Sequence, residues 1–228
     1  KGTPRILIGR DTRESGDWIE RAITAGAKRG GAECLAVGVI PTPGVAYLAR
    51  SAGFSAGVMI SASHNPYRDN GIKVFAATGY KLPDHEEVAI ERMVLDGGEP
   101  LPDADHSPPE APPAPDGLVG RYMTFLGDAV ARGTSLSGMK IVIDCANGAS
   151  SDIAPRIFRD LGATVEAVVC TPDGRNINSG CGSLHPEGLA ARVIAHGADL
   201  GVAFDGDADR CLFVAADGRV ADGDLLIY

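Results

Sequence analysis

Two stretches of the chain repeat one order of strand, polar loop and strand, and that repeat restricts the fold more than any single residue does. Gly57 stands six residues before Ser63, and Gly201 stands six before Asp207. Beyond those loops, Val74-Phe75-Ala76-Ala77-Thr78-Gly79 resembles Phe213-Val214-Ala215-Ala216-Asp217-Gly218. The segments upstream correspond as well. Arg5-Ile6-Leu7-Ile8-Gly9 and Lys140-Ile141-Val142-Ile143-Asp144 are short apolar runs that read as strands. Each is followed by a polar turn and then by apolar residues at helical spacing: Trp18, Ile19, Ala22 and Ile23 in one, Ile153, Ile157, Phe158 and Leu161 in the other. Gly31-Ala32 then matches Gly162-Ala163, and Cys34 to Val39 matches Val165 to Val169. The chain is therefore read as two copies of one α/β unit, with the Ser63 loop and the Asp205 to Arg210 loop at equivalent places. Alternating strands and helices predict two similar domains, each a mostly parallel mixed sheet covered by helices on both faces. Ligands collect beyond the strand ends of such sheets.

The halves are joined by residues 97–117, which hold Pro100, Pro102, Pro108, Pro109, Pro112, Pro113 and Pro115 among acids and alanines. That composition cannot build a core and predicts a linker or surface excursion. The first domain is accordingly placed at 1–116 and the second at 117–228. Thr42-Pro43 predicts a helix start with Thr42 as N-cap, closed by Gly53. Asp84 to Leu95 reads as an amphipathic helix. Leu118, Tyr122, Phe125, Leu126, Ala129 and Val130 form a helix stripe, and His185-Pro186-Glu187 starts another helix. Asn176-Ile177-Asn178 with Gly180 to Ser183 is a polar loop to which spacing assigns no role.

At 228 residues and 44% hydrophobic, the chain is long enough for one large domain or two of ordinary size. A formal charge of −9 and a pI near 5.0 argue against nucleic acid or an anionic membrane surface as partner. No apolar run approaches the ~20 residues of a membrane span, and no signal-peptide pattern opens the chain. The five cysteines (Cys34, Cys145, Cys170, Cys181 and Cys211) are odd in number and include no CxxC pair, so they read as free thiols in a reducing cytoplasm. The chain opens on Lys1 and stops at Tyr228 inside a new apolar run, and it is expected to be part of something longer.

The candidate chemistry lies in the two loops. Gly57 to Ile60 ends in Ser61-Ala62-Ser63-His64-Asn65-Pro66, where proline fixes its own φ and keeps Asn65 out of the helical region. A buried strand there delivers a hydroxyl into a rigid turn. Ser63 can serve as nucleophile or phosphate carrier only where charge nearby is managed. His64, being adjacent, is badly placed as its base; Lys73 could return an amine to the same loop. Asp205, Asp207 and Asp209 alternate after Leu200 to Phe204, and three carboxylates so close together need a cation or a basic group. An EF-hand would need Gly and Glu where Arg210 and Ala216 stand, so Mg²⁺ is the better fit. The bland alternative is an acidic surface turn. Arg10, Arg13 and Arg210 stand at or near strand ends, where guanidinium groups could clamp phosphate; ion pairs with Asp11 or Glu14 are equally open for the first two. Gly53-Phe54-Ser55-Ala56-Gly57 fits a hydrolase elbow, but a helix precedes it and a strand follows, which makes Ser55 an ordinary turn residue.

These motifs resemble those of the α-D-phosphohexomutase family over essentially the whole chain. Ser61 to Pro66 is similar to its phosphoserine loop and Asp205 to Arg210 to its metal loop. The fuller runs Gly57 to Lys73, Asp144 to Ala149, and Asn176 to Asn178 with Cys181 to Glu187 resemble the bacterial members acting on glucosamine phosphates. The resemblance implies a four-domain protein, of which this chain holds most of the first domain and the second. The family's opening Gly-Thr-x-Gly-x-Arg-Gly segment and its later sugar-reading and phosphate loops are not in the chain, which is expected to be inactive alone. For the complete protein it implies a mutase interconverting glucosamine 6-phosphate and glucosamine 1-phosphate through phosphorylated Ser63 and a bisphosphorylated sugar. It also implies Mg²⁺ held by Asp205, Asp207, Asp209 and the phosphate on Ser63, with Arg210 on the same phosphate. Lys73 and His64 would assist proton transfer and orientation, and Arg10 and Asn65 are further expected phosphate contacts. The implied partner is a phosphorylated hexosamine, and a homo-oligomer is compatible. Phosphoglucomutase or phosphomannomutase activity shares both loops and stays open, as does a metal-dependent phosphatase; intact Ser63 with all three aspartates speaks against a non-catalytic binding module.

Overall fold

A helix between two strands carries the chain back across the sheet, so the strands it joins run parallel. A computed structural model, which describes residues 2–96, 110–221 and 223, shows this twice. The first domain contains β1 (Arg5–Arg10), α1 (Gly16–Arg29), β2 (Glu33–Val39), α2 (Thr42–Ser51), β3 (Ala56–Ile60) and β4 (Ile72–Ala76), followed by α3 (Asp84–Leu95). Its sheet has the order β2-β1-β3-β4, with β4 alone antiparallel. Next come α4 (Leu118–Phe125), a π-helical turn (Leu126–Val130), β5 (Lys140–Asp144), α5 (Ile153–Asp160) and β6 (Thr164–Val168). A 3₁₀ turn (Gly182–Leu184), α6 (Glu187–His196), β7 (Leu200–Phe204), β8 (Cys211–Ala215) and β9 (Val220–Ala221) follow. The second sheet has the order β6-β5-β7-β8-β9. Apart from β9 the two sheets share one topology, and the register repeats too. Ala56 opposes Ala76 as Leu200 opposes Ala215, and Gly57 opposes Phe75 as Gly201 opposes Val214.

Successive strand residues face opposite sides of a sheet, so a strand apolar throughout needs a cover on both. In β1, Leu7 packs in a cluster with Val45 and Leu48 of α2, while Ile8 packs in another with α1's Ile19 and Ile23 against it. In β5, Ile141 and Ile143 meet Ala154 and Phe158 of α5, while Val142 meets Leu189 and Val193 of α6. Each such side chain contributes about 1.5–3 kcal/mol by leaving water. Tyr122 of α4 and Ile153 of α5 join the first domain's cluster, and Tyr47 stacks on Phe125 with ring centroids 4.0 Å apart. Apolar packing thus runs from the first sheet through α4 into the second domain. Among the described residues no helix is long and apolar enough to cross a membrane.

The expected linker behaves differently where it is described. Residues 97–109 lie outside the described residues. At its C-terminal end, Ala36 N–H donates to Pro112 O at 2.8 Å and Ala114 N–H donates to Ala36 O at 2.7 Å, extending the β2 edge of the sheet. Prolines are tolerated there because an edge segment uses only one side of its backbone. α4, expected to open the second domain, packs on α2 of the first.

Candidate active site

The serine loop is fixed by its own backbone and by one buried arginine. Beyond β3, Ser61 N–H donates to Gly71 O at 2.9 Å. The Ser61 hydroxyl donates to Asp11 Oδ2 at 2.6 Å and accepts from Ser63 N–H at 2.9 Å. Ser63 is thereby held at φ 54°, a left-handed conformation that strains a residue with a side chain by about 1–2 kcal/mol. Arg13, whose side chain is fully buried, places all its donors around this turn. Nε donates to Asp11 Oδ2 at 2.8 Å, Nη2 to the carbonyls of Ser63 and Asn65 at 3.0 and 2.9 Å, and Nη1 to those of Pro66 and Asp69 at 2.5 and 3.0 Å. Of the two uses open to Arg13, the structure selects the ion pair with Asp11. Burial pushes the Asp11 carboxyl above its ordinary value, with Arg13 and Ser61 offsetting only part of that.

β7 delivers the aspartate loop to the same place. A Cβ on Gly206 would lie 2.7 Å from Ser63 O, so glycine is what lets the two loops touch. Ser63 Oγ donates to Asp205 Oδ2 at 2.7 Å, and Arg210 Nη2 donates to Ser63 Oγ at 2.6 Å and to Asp205 Oδ2 at 3.0 Å. Arg210 Nη2 also lies against His64 Nδ1. Lys73 Nζ bridges Asp207 Oδ2 at 2.6 Å and Asp209 Oδ2 at 3.0 Å. Thr42 donates its hydroxyl to Asp207 Oδ2 and its N–H to Asp207 O, the latter at 2.9 Å. It does not cap its own helix: the residue preceding α2 is Pro41, and no side chain caps that end.

Burial raises Asp205 most; the Ser63 hydrogen bond opposes this, while Asp207 and Asp209 push the same carboxyl further up. Burial also acts to raise Asp209, but Lys73 and Arg210 outweigh it and hold that group below its ordinary value. For Lys73 burial acts to lower the pKa, and bonding to Asp207 and Asp209 more than reverses it. The positive charge of Lys73 is thus favoured by the two carboxylates it bridges. Carboxylate oxygens of Asp205, Asp207 and Asp209 lie within 4.8 Å of one another. Asp207 Oδ1 is buried with no hydrogen-bond partner. An orphaned carboxylate oxygen inside a hard oxygen donor set fits a small divalent cation such as Mg²⁺.

Two expected phosphate contacts are placed otherwise. The Asn65 amide donates to Asp69 Oδ2 at 3.0 Å, closing its own turn. Arg10 lies away from the two loops: its Nε is 3.4 Å from Glu20 Oε2, and it lines a separate cavity with Glu20 and Glu110. The side chain leaves β1 on the α1 side, where Glu20 neutralises it. Two further residues touch the site without a local signal in the sequence. One is Thr42, read only as a helix cap. The other is Asn178, whose Nδ2 donates to Ser63 O at 2.9 Å and Asn65 O at 3.1 Å. Burial lifts the Cys145 and Cys181 thiols to about 12 and about 11, which leaves neither as a nucleophile.

Known proteins carry the same arrangement of domains. Residues 1–100 match "Phosphoglucomutase/phosphomannomutase, alpha/beta/alpha domain I", and residues 121–218 match domain II of the same family. The chain is 52% identical to the phosphoglucosamine mutase of Heliobacterium modesticaldum, over 98% of this chain and 52% of that protein. It is 50% identical to the phosphoglucosamine mutase of Solibacter usitatus, over 98% of this chain and 49% of that protein. It therefore spans about half the length of the curated relatives it matches. A crystal structure of a phosphoglucomutase/phosphomannomutase family protein from Burkholderia thailandensis superposes with a TM-score of 0.76 at 26% identity, covering 96% of this chain and 48% of that one. With domains I and II matched in order, and the two loops meeting at their junction, the chain belongs to the phosphoglucomutase/phosphomannomutase family of phosphohexomutases.

Proposed function

We propose that the chain forms the phosphoryl-carrying part of a phosphoglucosamine mutase, which interconverts glucosamine 6-phosphate and glucosamine 1-phosphate. The observation that carries this reading is the 2.7 Å bond from Ser63 Oγ to Asp205 Oδ2, with Arg210 on the same hydroxyl. Identity near 50% to phosphoglucosamine mutases over nearly the whole chain supports the sugar assignment.

In the proposed reaction Ser63 begins phosphorylated. Its Oγ–P bond breaks as the phosphoryl group passes to the free hydroxyl of the sugar phosphate, and the proton that hydroxyl loses is balanced by the one that restores the hydroxyl of Ser63. The bisphosphorylated sugar reorients, and its other phosphate returns to Ser63 Oγ. Phosphoryl transfer needs little covalent help from the protein but much positioning and charge neutralisation. Arg210, within hydrogen-bond reach of Oγ, stabilises the charge that develops there as the P–O bond breaks. Lys73, held beside Asp207 and Asp209, supplies further positive charge and is the group placed to pass a proton between the sugar hydroxyl and Ser63 Oγ. The strained Ser63 turn, gripped by Arg13, keeps Oγ aimed at the aspartate loop. Mg²⁺ bound by Asp205, Asp207, Asp209 and a phosphoserine oxygen would neutralise charge on the transferring group.

The test is a coupled assay of the complete protein on glucosamine, glucose and mannose 6-phosphates, beside a Ser63→Ala variant. The proposal expects preference for glucosamine 6-phosphate and turnover abolished by Ser63→Ala with the fold intact. Preference for glucose or mannose 6-phosphate would establish the activities named in the family's own description. Activity retained by Ser63→Ala would overturn the phosphoserine.

A further inference from the structure

The loop Asn176 to Ser183 belongs to the second domain, yet its Asn178 amide ends on the serine loop of the first. Nδ2 donates to Ser63 O at 2.9 Å and to Asn65 O at 3.1 Å. Those are the same two carbonyls that Arg13 Nη2 grips from the first domain, at 3.0 and 2.9 Å. Each oxygen has two lone pairs, so the two donors share it without competing. The turn that holds Ser63 left-handed is therefore clamped from both domains on its carbonyl side, while its hydroxyl faces Asp205.

The clamp has its own support. Asn178 sits at φ 57°, and its N–H donates to Ala146 O at 3.0 Å. The neighbouring Ile177 is 2% exposed. A Cβ on Gly206 would lie 2.7 Å from Asn178 Nδ2, 2.7 Å from Ser63 O and 2.8 Å from Ile177 Cδ1. The amide is thus wedged between the serine turn and the aspartate loop, touching the backbone of one and packed on the other. We infer that Asn178 is a positioning residue, which pins the Ser63 carbonyl to the second domain and so sets the approach of Ser63 Oγ to the Asp205 loop. It touches neither hydroxyl nor carboxylate and acts only through the turn. The inference deepens the proposed function and rests on it for its kinetic consequence, but the pinning itself can be measured independently.

The backbone and the amide can be separated by substitution. Asn178→Gly keeps the left-handed φ and removes the donor; Asn178→Asp keeps the size and turns the donor into an acceptor facing two carbonyls. Hydrogen–deuterium exchange across residues 61–67 is compared with kcat and KM for glucosamine 6-phosphate in the complete protein, beside wild type and Ser63→Ala. The expected result is faster exchange in that loop for both variants, and kcat lowered roughly ten- to a hundred-fold for Asn178→Gly and more for Asn178→Asp, with KM nearly unchanged. If Asn178→Gly matches wild type in loop exchange, or in kcat, the amide positions nothing and the inference falls. If Asn178→Asp does not fold, the glycine variant alone decides. If wild-type turnover is indifferent to Ser63→Ala, the mutase reading fails instead, and loop exchange still decides whether Asn178 pins the turn.

Discussion

The ammonium of Lys73, on a strand of the first domain, stands between two carboxylates of the second. With three aspartates converging, the arrangement without a positive group would place like charges against one another in a part-buried site. Lys73 and Arg210 divide that task, Lys73 on Asp207 and Asp209, Arg210 on Asp205 and Asp209. Because its pKa in the fold lies above the ordinary 10.5, Lys73 contributes stability that is fully present below pH 10.5 and is lost as pH rises through the raised value. Thermal unfolding midpoints of the wild type and Lys73→Met should therefore differ most at neutral pH, with the gap closing above pH 10.5. A gap that stays constant through the alkaline range would contradict the ion pair. At this scale the sequence carries clear signals only for side chains whose neighbours along the chain explain them. Ser63 before His64-Asn65-Pro66, and the alternating aspartates after an apolar strand, have local reasons to be where they are. Thr42 and Asn178 do not. A threonine before proline is a normal helix start, and an asparagine in a polar loop has no direction until the loop packs. Arg13 offered two uses, and only burial beside Asp11 decides between them.

At the level of elements, the repeat was legible because strands with matching apolar runs and matching glycines must take matching places in a sheet. The helix over Asp84 to Leu95, the strand Lys140 to Asp144 and the start of α6 beside His185-Pro186-Glu187 follow the same local rules. The segment 110–117 did not, because prolines signal the loss of backbone donors and say nothing about an edge strand offering partners. α4 is the helix its apolar stripe predicts, but the stripe fits either domain and does not show that Tyr122 packs with Val45 and Leu48. α5 shows what joins the halves: Ile153, 4% exposed, lies in the first domain's cluster although its helix covers the second domain's sheet. Ile153→Ala should cost about 2–5 kcal/mol in urea unfolding and split one cooperative transition into two. A single transition with unchanged midpoint would show that the cluster does not couple the domains.

Over the whole molecule, two copies of one unit face each other through equivalent strand ends, and their loops have become chemically complementary. One offers a hydroxyl on a strained, doubly clamped turn; the other offers carboxylates held in check by cations drawn from both domains. Neither loop is a site by itself, since the hydroxyl of Ser63 comes from the first domain and the carboxylates and Arg210 that meet it come from the second. The chain spans about half the length of its curated relatives, and sugar selection is proposed to reside in the complete protein. The claim that most needs testing is that the phosphate on Ser63 and the carboxylates of the second domain share one divalent cation. With Ser63 phosphorylated in the complete protein, Mn²⁺ is titrated in place of Mg²⁺ while the phosphoserine ³¹P resonance is followed. Broadening of that line at substoichiometric Mn²⁺, lost in Asp207→Asn, is the predicted result. A line that stays sharp as Mn²⁺ binds, or that broadens equally in Asp207→Asn, would contradict a cation shared between the two loops.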